Sequence, residues 1–573
     1  MMPHRPISRR DIPSDVLLPT LDPLLARIYA ARGVRSMDDL RLSMDGLLPV
    51  RSLEGVEAAA ALLAAELAGD GRILVVGDYD ADGATASALM VRALRAFGYP
   101  HVDYLVPDRI VYGYGLTPGI VELARERAPT LLVTVDNGIS SHEGVAAARA
   151  LGMQVLITDH HLPGPTLPDA QVIVNPNVRG ATFNSRALAG VGVAFYVMAA
   201  LARTLEKPLS MVTALLDLVA LGTVADVVAL DQNNRILVQA GLERIRAGRC
   251  CQGIKALAEV AGRSVSAVGT TDLGFFLGPR LNAAGRMKDM SIGIECLLTD
   301  DPERAKLLAK QLDGLNRERR ATEAVMQEQA REIVARLHLD EPGIALPAAI
   351  SLFDRTWHQG VVGLVASRVK EQVHRPVVAF AGAEGGLARG SARSVPGIHI
   401  RDAFEAVATL RPGLIDKFGG HAMAAGLTLS ADRVKEFGQL LSEEVARRAS
   451  PGLLEGRVYT DGALAVSDLV LETAERLRTA GPFGSGFPEP TFDGEFSVVE
   501  ARVLGESHLK LWLRASAAAV PLEAIAFGWL LRPGHRVPSV HARIRAVYRL
   551  DVNEYMGKRR LQLLLEDVVL LDD

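Results

Sequence analysis

The chain has 573 residues, 49% of them hydrophobic, enough for three or four domains at roughly 150 residues each. The formal net charge is -4, so bulk charge selects no partner, and any nucleic-acid contact has to come from a local basic surface. Three cysteines (Cys250, Cys251 and Cys296) without a C-x-x-C pair exclude a disulfide framework or a cysteine zinc site and suit a reducing cytosol.

The start, MMPHRPISRRDIPSD, carries arginines with no apolar run behind them, so no signal peptide is expected. No stretch of about 18 uncharged apolar residues marks a membrane span. Residues 1–50 read as a helical lead-in that packs on the main domain, with LLARIYAARG as a short helix ending in glycine. From 51 the pattern alternates. GRILVVGD (71–78), HVDYLVP, TLLVTVDNG (130–138), QVLITDHH (154–161) and AQVIVNP (170–176) read as strands, with helices between them. That alternation predicts α/β architecture with a doubly wound, mostly parallel sheet over 51–300. LAGVGVAFYVMAALARTL (188–205) and MVTALLDLVALGTVADVV (211–228) read as buried helices. A long polar helical pattern over 301–340 suits a linker helix. A smaller α/β domain follows over 341–450, with AAISLFD, PVVAFAG and LARGSARS as strands. The tail, 451–573, carries many short strands and little helix, as an OB-like barrel would.

Three strands of the first domain end in acids: Asp78, Asp80 and Asp82; Asp136; and Asp159 with His160 and His161. In a parallel sheet these ends share one edge, where ligands bind. Carboxylates gathered there repel one another unless a cation neutralises them. An oxygen-rich set with histidine suits Mn²⁺ or Mg²⁺ better than Zn²⁺, and there are enough acids for two ions. GDYDADGATA (77–86) also opens like a calcium loop, but position twelve would be Leu89 and a strand precedes it. A haloacid-type phosphatase start does not call for the D-H-H strand end, and solvated loop acids are a poor account of three motifs at three strand ends.

GDYDADG, VTVDNGIS, ITDHH and ALGTVADVV (220–228) together resemble the motifs of the DHH phosphoesterase superfamily. GPRLNAAGRM (278–287), WHQGVVGLVASR (357–368), GSARS (390–394) and FGGHAMAAG (418–426) are similar to its RecJ branch, in order and over nearly the whole chain. The resemblance implies a metal-dependent, single-stranded-DNA-specific 5′→3′ exonuclease. It would release 5′ mononucleotides by two-metal catalysis in DNA repair and recombination. It also implies metal ligands at Asp80, Asp82, Asp136, His160 and Asp226, with Asp78 beside them. His161 is expected to face the scissile phosphate, Asp159 to orient a histidine, and Asp217 to cap or orient.

Substrate phosphates need donors, for which Arg109, Arg280, Arg286 and Arg368 are candidates. Ser391, Arg393, Gly420 and His421 resemble the pocket of the DHH-associated domain, which in the family grips the terminal nucleotide. Basic and aromatic residues of the tail (Lys510, Trp512, Tyr555, Lys558, Arg559 and Arg560) fit single-strand binding. Phe487, in GPFGSGFPEP, stands where the family pattern has asparagine, which touches a local turn contact. Expected partners are single-stranded DNA and, by resemblance, a single-strand-binding protein and a RecQ-type helicase; monomer is the default. Two other readings compete: a phosphodiesterase of short oligonucleotides or cyclic dinucleotides, and a non-catalytic single-strand-binding scaffold. The barrel and the long helix weigh against the first, and the full set of acids and histidines against the second.

Overall fold

The computed structural model describes residues 6–571 apart from 14, 15, 17, 107, 108, 337–345, 421, 451, 506, 532–534, 556 and 557. They form two compact units. One holds Ser36–Arg319 and Pro482–Pro488; the other holds Met1–Arg35, Arg320–Gly481 and Glu489–Asp573.

The first described element is a short strand, β1 (Ile7–Arg9), of the second unit. The first unit is built on five parallel strands: β2 (Ile73–Gly77), β3 (Val102–Leu105), β4 (Leu131–Val135), β5 (Gln154–Thr158) and β6 (Val172–Val174), in the order β3-β2-β4-β5-β6. Every residue of β2 and β4 is buried. A strand covered on both faces needs a continuous apolar run, and ILVVG and LLVTV supply one. Leu74, Val76, Leu132, Val155 and Ile157 face helices Pro118–Arg125 and His142–Ala150 in one core. Helices Ala81–Phe97 and Gly190–Thr204 pack on β2 and β4, respectively. The expected helix over 211–228 is two pieces, Ser210–Thr213 and Leu216–Ala225, and ends just before Asp226.

In the second unit, β7 (Ile350–Asp354), β8 (Val377–Gly382), β9 (Leu387–Arg393), β10 (Lys417–Gly420) and β11 (Ala424–Ser430) form a sheet ordered β10-β11-β9-β8-β7. Only β7 and β8 run parallel. Helices Ile400–Leu410 and Val434–Arg448 close a core around Phe380, Phe404 and Phe437. Past β12 (Val458–Thr460), five strands make a closed barrel: β13 (Phe492–Leu504), β14 (His508–Arg514), β15 (Leu522–Ala526), β16 (Arg543–Tyr555) and β17 (Lys558–Leu570). Inward and outward residues alternate along β14, as a filled barrel requires.

The N-terminal residues depart from the expectation. Residues through Arg35 group with the unit that carries the barrel, and the remainder of the lead-in groups with the parallel sheet. β1 pairs in parallel with β12. Arg32 grips Asp461 through two hydrogen bonds of 2.7 and 2.9 Å, both side chains buried. The sequence shows no such pairing, because its partners lie more than 400 residues apart.

Candidate metal centre

The carboxyl ends of β2, β4 and β5 bring the acids together. Asp80 starts helix Ala81–Phe97 by accepting the N–H groups of Asp82 and Gly83 at 2.9 and 3.0 Å. Asp82 is fully buried in the first turn. Its two oxygens accept the N–H groups of Gly190 (2.6 Å) and Val191 (2.9 Å), the start of a second helix. Asp136 follows β4 with a φ of +62°, a left-handed conformation held at a candidate ligand position.

His160 Nε2 lies 3.0 Å from Asp136 Oδ1, 3.6 Å from Asp226 Oδ2 and 3.9 Å from Asp82 Oδ2. Three groups have ligand atoms within 4.8 Å of one another: Asp136, His160 and His161; Asp82, His160 and Asp226; and Asp78, Asp80 and Asp136. All six expected metal residues, with His161, therefore meet at one edge of one sheet.

Electrostatics follow from crowding. Burial, then the charges of Asp226 and Asp80, push the Asp82 carboxyl well up despite its two backbone donors. Burial and four neighbouring carboxylates do the same to Asp136. Asp226 rises to about 7 through burial and the charge of Asp80. Among the described residues, Asp136 Oδ1 is buried and accepts no hydrogen bond. An orphaned carboxylate oxygen facing an imidazole nitrogen, amid acids that resist ionisation together, is the donor set a divalent cation satisfies.

Asp159 stands apart. It accepts the N–H groups of Ile139 (2.9 Å), His160 (2.7 Å) and His161 (3.0 Å), and lies 2.7 Å from His161 Nδ1. Burial opposes its charge, but the His161 bond prevails and holds Asp159 at about 2. Burial likewise opposes a charged His161, and Asp159 outweighs it, lifting the ring to about 9. Asp217 joins none of these groups; its carboxylate accepts the Cys251 N–H at 2.8 Å, at the start of helix Gln252–Val260.

The expected phosphate donors divide. Arg280 spends its guanidinium on Asp313 (3.0 and 2.9 Å) and on the Phe276 carbonyl (2.7 Å). Arg368 reaches Glu323 at 3.3 Å and Glu371 at 3.4 Å. Both are held by acids of their own unit. Arg286 occupies the last turn of helix Gly278–Met287. Arg393 donates to Ser391 Oγ at 3.0 Å, and both lie against Gly363, so these two expected pocket residues do meet. Gly420 ends β10 with a φ of +131°. His421 and the side chain of Arg109 lie outside the described residues. In the barrel, Lys510 sits 4.9 Å from the Trp512 ring and 2.8 Å from Glu523, and Arg559 pairs with Glu475. Trp357 is core, its Nε1 donating to Gln329.

Three residues escaped sequence reasoning. The Tyr114 hydroxyl lies 3.2 and 3.3 Å from the two ring nitrogens of His161, and its ring meets those of His161 and Tyr79 edge-on. Asn282 Oδ1 accepts the Ala81 N–H at 2.7 Å. Gly285 lies so close to the first acidic loop that a Cβ would fall 1.8 Å from the Tyr79 carbonyl oxygen. The signal was spacing: Asn282 and Gly285 are three apart, hence on one face of their helix.

The DHH family N-terminal domain matches residues 72–223, the DHHA1 domain 345–447 and the RecJ OB domain 460–567. The chain is 49% identical to the single-stranded-DNA-specific exonuclease RecJ of Escherichia coli K12, over 98% of both chains. It is 50% identical to that of Dickeya dadantii, again over 98% of both. Among solved structures it is similar to Thermus thermophilus RecJ in complex with Mn²⁺, at 32% identity and a TM-score of 0.78. The match covers 96% of this chain and 76% of that one. The Mg²⁺ complex of the same protein gives 30% identity and a TM-score of 0.72, over 96% and 74%.

Proposed function

The chain belongs to the RecJ family, and from that premise we propose that it is a metal-dependent exonuclease specific for single-stranded DNA, digesting from the 5′ end to 5′ mononucleotides. The observation that carries the reading is the meeting of Asp78, Asp80, Asp82, Asp136, His160 and Asp226 at one sheet edge. Mn²⁺ or Mg²⁺, two ions in all, is the cofactor that these residues would hold. Such ions neutralise charge on the phosphate and make water a stronger nucleophile. This chain's own residues do the rest. Asp159 accepts a hydrogen bond from His161 Nδ1–H and keeps the ring cationic. His161 Nε2, 3.3 Å from the Tyr114 hydroxyl, would exchange that contact for a phosphate oxygen or the leaving 3′ oxygen when the strand binds, with Tyr114 limiting how the ring turns.

Residues 51–300 supply catalysis and 341–450 the grip on the terminal nucleotide, through Ser391, Arg393, Gly420 and His421. The barrel, 451–573, tracks the strand. Arg109 and Arg286 serve as phosphate donors. Among the described residues no helix is long and apolar enough to cross a membrane. The setting is cytoplasmic DNA repair and recombination, where a single-strand-binding protein and a RecQ-type helicase are fitting partners.

The test uses 5′- and 3′-end-labelled single strands, duplex and a dinucleotide, each with Mn²⁺, Mg²⁺ or chelator. Metal-dependent release of 5′ mononucleotides from the single strand alone is expected. Activity confined to the dinucleotide overturns the reading.

A further inference from the structure

Asp226 caps helix Leu216–Ala225, its N–H donating to the Gly222 carbonyl at 2.9 Å, and opens the loop that follows. The loop runs from the end of helix Leu216–Ala225 to Asp231, which caps helix Gln232–Arg246. The next residue, Val227, has a φ of +65° and is 68% exposed. A β-branched residue is a poor occupant of the left-handed region, at a cost of about 1–3 kcal/mol, and persists there only where its surroundings over-determine it. Packing of Val227 itself does not provide that, since its side chain faces outward.

Two contacts clamp the loop. Asn234 Nδ2 donates to the Ala229 carbonyl at 2.9 Å and to the Ala187 carbonyl at 2.7 Å. On the other side the Leu230 N–H donates to the Ser485 carbonyl at 2.7 Å. Ser485 belongs to Pro482–Pro488, a seven-residue segment that groups with the parallel-sheet unit although its sequence neighbours on both sides do not. The segment is a tight turn closed by the paired backbones of Gly484 and Phe487. It approaches so closely that a Cβ on Gly484 would lie 2.7 Å from Leu230 Cδ1, and one on Gly486 3.0 Å from Ala229 Cβ.

The turn is anchored by its aromatic residues. Phe483 and Phe487 stack with centroids 5.7 Å apart and planes 16° from parallel. The Arg235 guanidinium lies 4.3 Å from the Phe487 centroid and also donates to the Asp39 carbonyl at 2.8 Å. Phe487 is buried. The position where this chain departs from the family pattern is thus the one that pins the turn to the helix following the Asp226 loop.

We infer that Pro482–Pro488 is a clasp for the metal centre, in which Phe487 is a positioning residue that keeps Asp226 in reach of His160 by holding Ala229 and Leu230. The inference rests on Asp226 being a metal ligand, as in the function proposed above. The clasp has no part in strand binding. Its loss should show in metal affinity and turnover and leave KM for DNA in place.

The experiment compares the full-length wild type with Phe487→Ala and Phe487→Tyr. Mn²⁺ binding is followed by calorimetry without DNA, and kcat and KM on a single strand are measured at saturating Mn²⁺. Phe487→Ala should weaken Mn²⁺ binding roughly tenfold or more, as loss of a group orienting a ligand does, and lower kcat with KM within about twofold. Phe487→Tyr, which keeps the stacked ring, should restore both. If Phe487→Ala does not fold by circular dichroism, Gly486→Ala takes its place, because its added methyl meets Ala229 without emptying the aromatic pocket. A folded variant that binds Mn²⁺ like the wild type overturns the clasp. Failure of the wild type itself to bind Mn²⁺ overturns the metal-centre reading instead.

Discussion

His161 Nδ1 and Asp159 Oδ1 lie 2.7 Å apart, and this pair sets the charge of the His161 ring. Asp159 is held at about 2 and His161 at about 9. A raised histidine contributes stability in full below its unfolded value of about 6.5, and that contribution is lost as pH rises through the folded value. The depressed aspartate contributes above its unfolded value of about 3.9 and loses that as pH falls through the folded one. Both describe one interaction, strongest between those unfolded values. His161→Ala should therefore lower the Tm of chelated protein most near pH 6, and the gap to wild type should narrow as the pH approaches about 9. A gap independent of pH would mean that the pair is not ionic.

Metal uptake should be linked to protons. In the metal-free protein Asp226 sits at about 7, and Asp82 and Asp136 are raised in the same direction. From about pH 4 up to those values the folded chain binds more protons than the unfolded one, so its stability falls as pH rises. A bound divalent ion removes that penalty. The rise in Tm on adding Mn²⁺ should be larger near about pH 8 than near about pH 6, because Asp226 ionises between them. Calorimetry in buffers of different ionisation enthalpy should show proton release on binding. Equal shifts at both pH values would contradict the raised carboxylates.

Asp82→Ala and Asp226→Ala should part company in stability. Both should abolish nuclease activity. Asp82 also closes the start of helix Gly190–Thr204 through both oxygens, so its loss costs roughly 1–3 kcal/mol in addition. Among the described residues, the Asp226 carboxylate accepts no backbone N–H, and it adds to the repulsion felt by Asp82 and Asp136. In chelator, Asp226→Ala should melt at or above the wild-type Tm and Asp82→Ala below it. Parallel losses in both variants would remove the distinction between a ligand and a ligand that also caps.

The acids were legible because parallel topology does the gathering: strand ends that share an edge place Asp80, Asp136 and His160 together wherever the intervening helices go. The double duty of Asp82 was not, since its partners Gly190 and Val191 carry no sequence mark of an incoming carboxylate. The acids that hold the arginines were not legible for a related reason. Arg280 and Arg368 find Asp313 and Glu323 at separations of 33 and 45 residues, which no local pattern reveals. Phe487 read as a weakened turn contact, and only its stack on Phe483 shows what the larger side chain does.

The Arg32–Asp461 pair predicts that the first 35 residues stabilise the unit that carries the barrel. Its side chains are 1% and 0% exposed, and Asp461 also accepts the Thr491 N–H at 3.0 Å, just before β13. Removing one partner of a buried pair costs about 3–5 kcal/mol, at the low end here because Arg10 stays 3.8 Å from Asp461. Arg32→Met should lower the urea midpoint of the transition that reports on the barrel. Mn²⁺ binding should be untouched, because the metal residues lie in the other unit. A change in the reverse sense, Mn²⁺ affinity lost and the midpoint kept, would be incompatible with this assignment.

Helix Gly278–Met287 should matter to catalysis more through Gly285 than through Arg280. Asn282 holds the Ala81 N–H at 2.7 Å, and Gly285 lets the Tyr79 carbonyl approach to where a Cβ would meet it at 1.8 Å. Tyr79 lies between Asp78 and Asp80, and Ala81 precedes Asp82, so the helix braces the loop and first helical turn that carry three of the acids. An alanine at 285 has to push that loop away by an ångström or more. A displacement of about 1 Å in a reacting assembly costs roughly 100-fold in rate. Gly285→Ala should therefore lose at least that factor in kcat and bind Mn²⁺ more weakly, with the fold retained by circular dichroism. Asn282→Ala removes one hydrogen bond, about 1 kcal/mol, and should fall between Gly285→Ala and wild type. Arg280→Met frees Asp313 and Arg317, which lie 3.2 Å apart and can still pair, so its effect on kcat should be the smallest of the three. If Arg280→Met proves the most damaging, with KM for the single strand raised, the arginine contacts DNA after all and its link to Asp313 gives way when the strand enters.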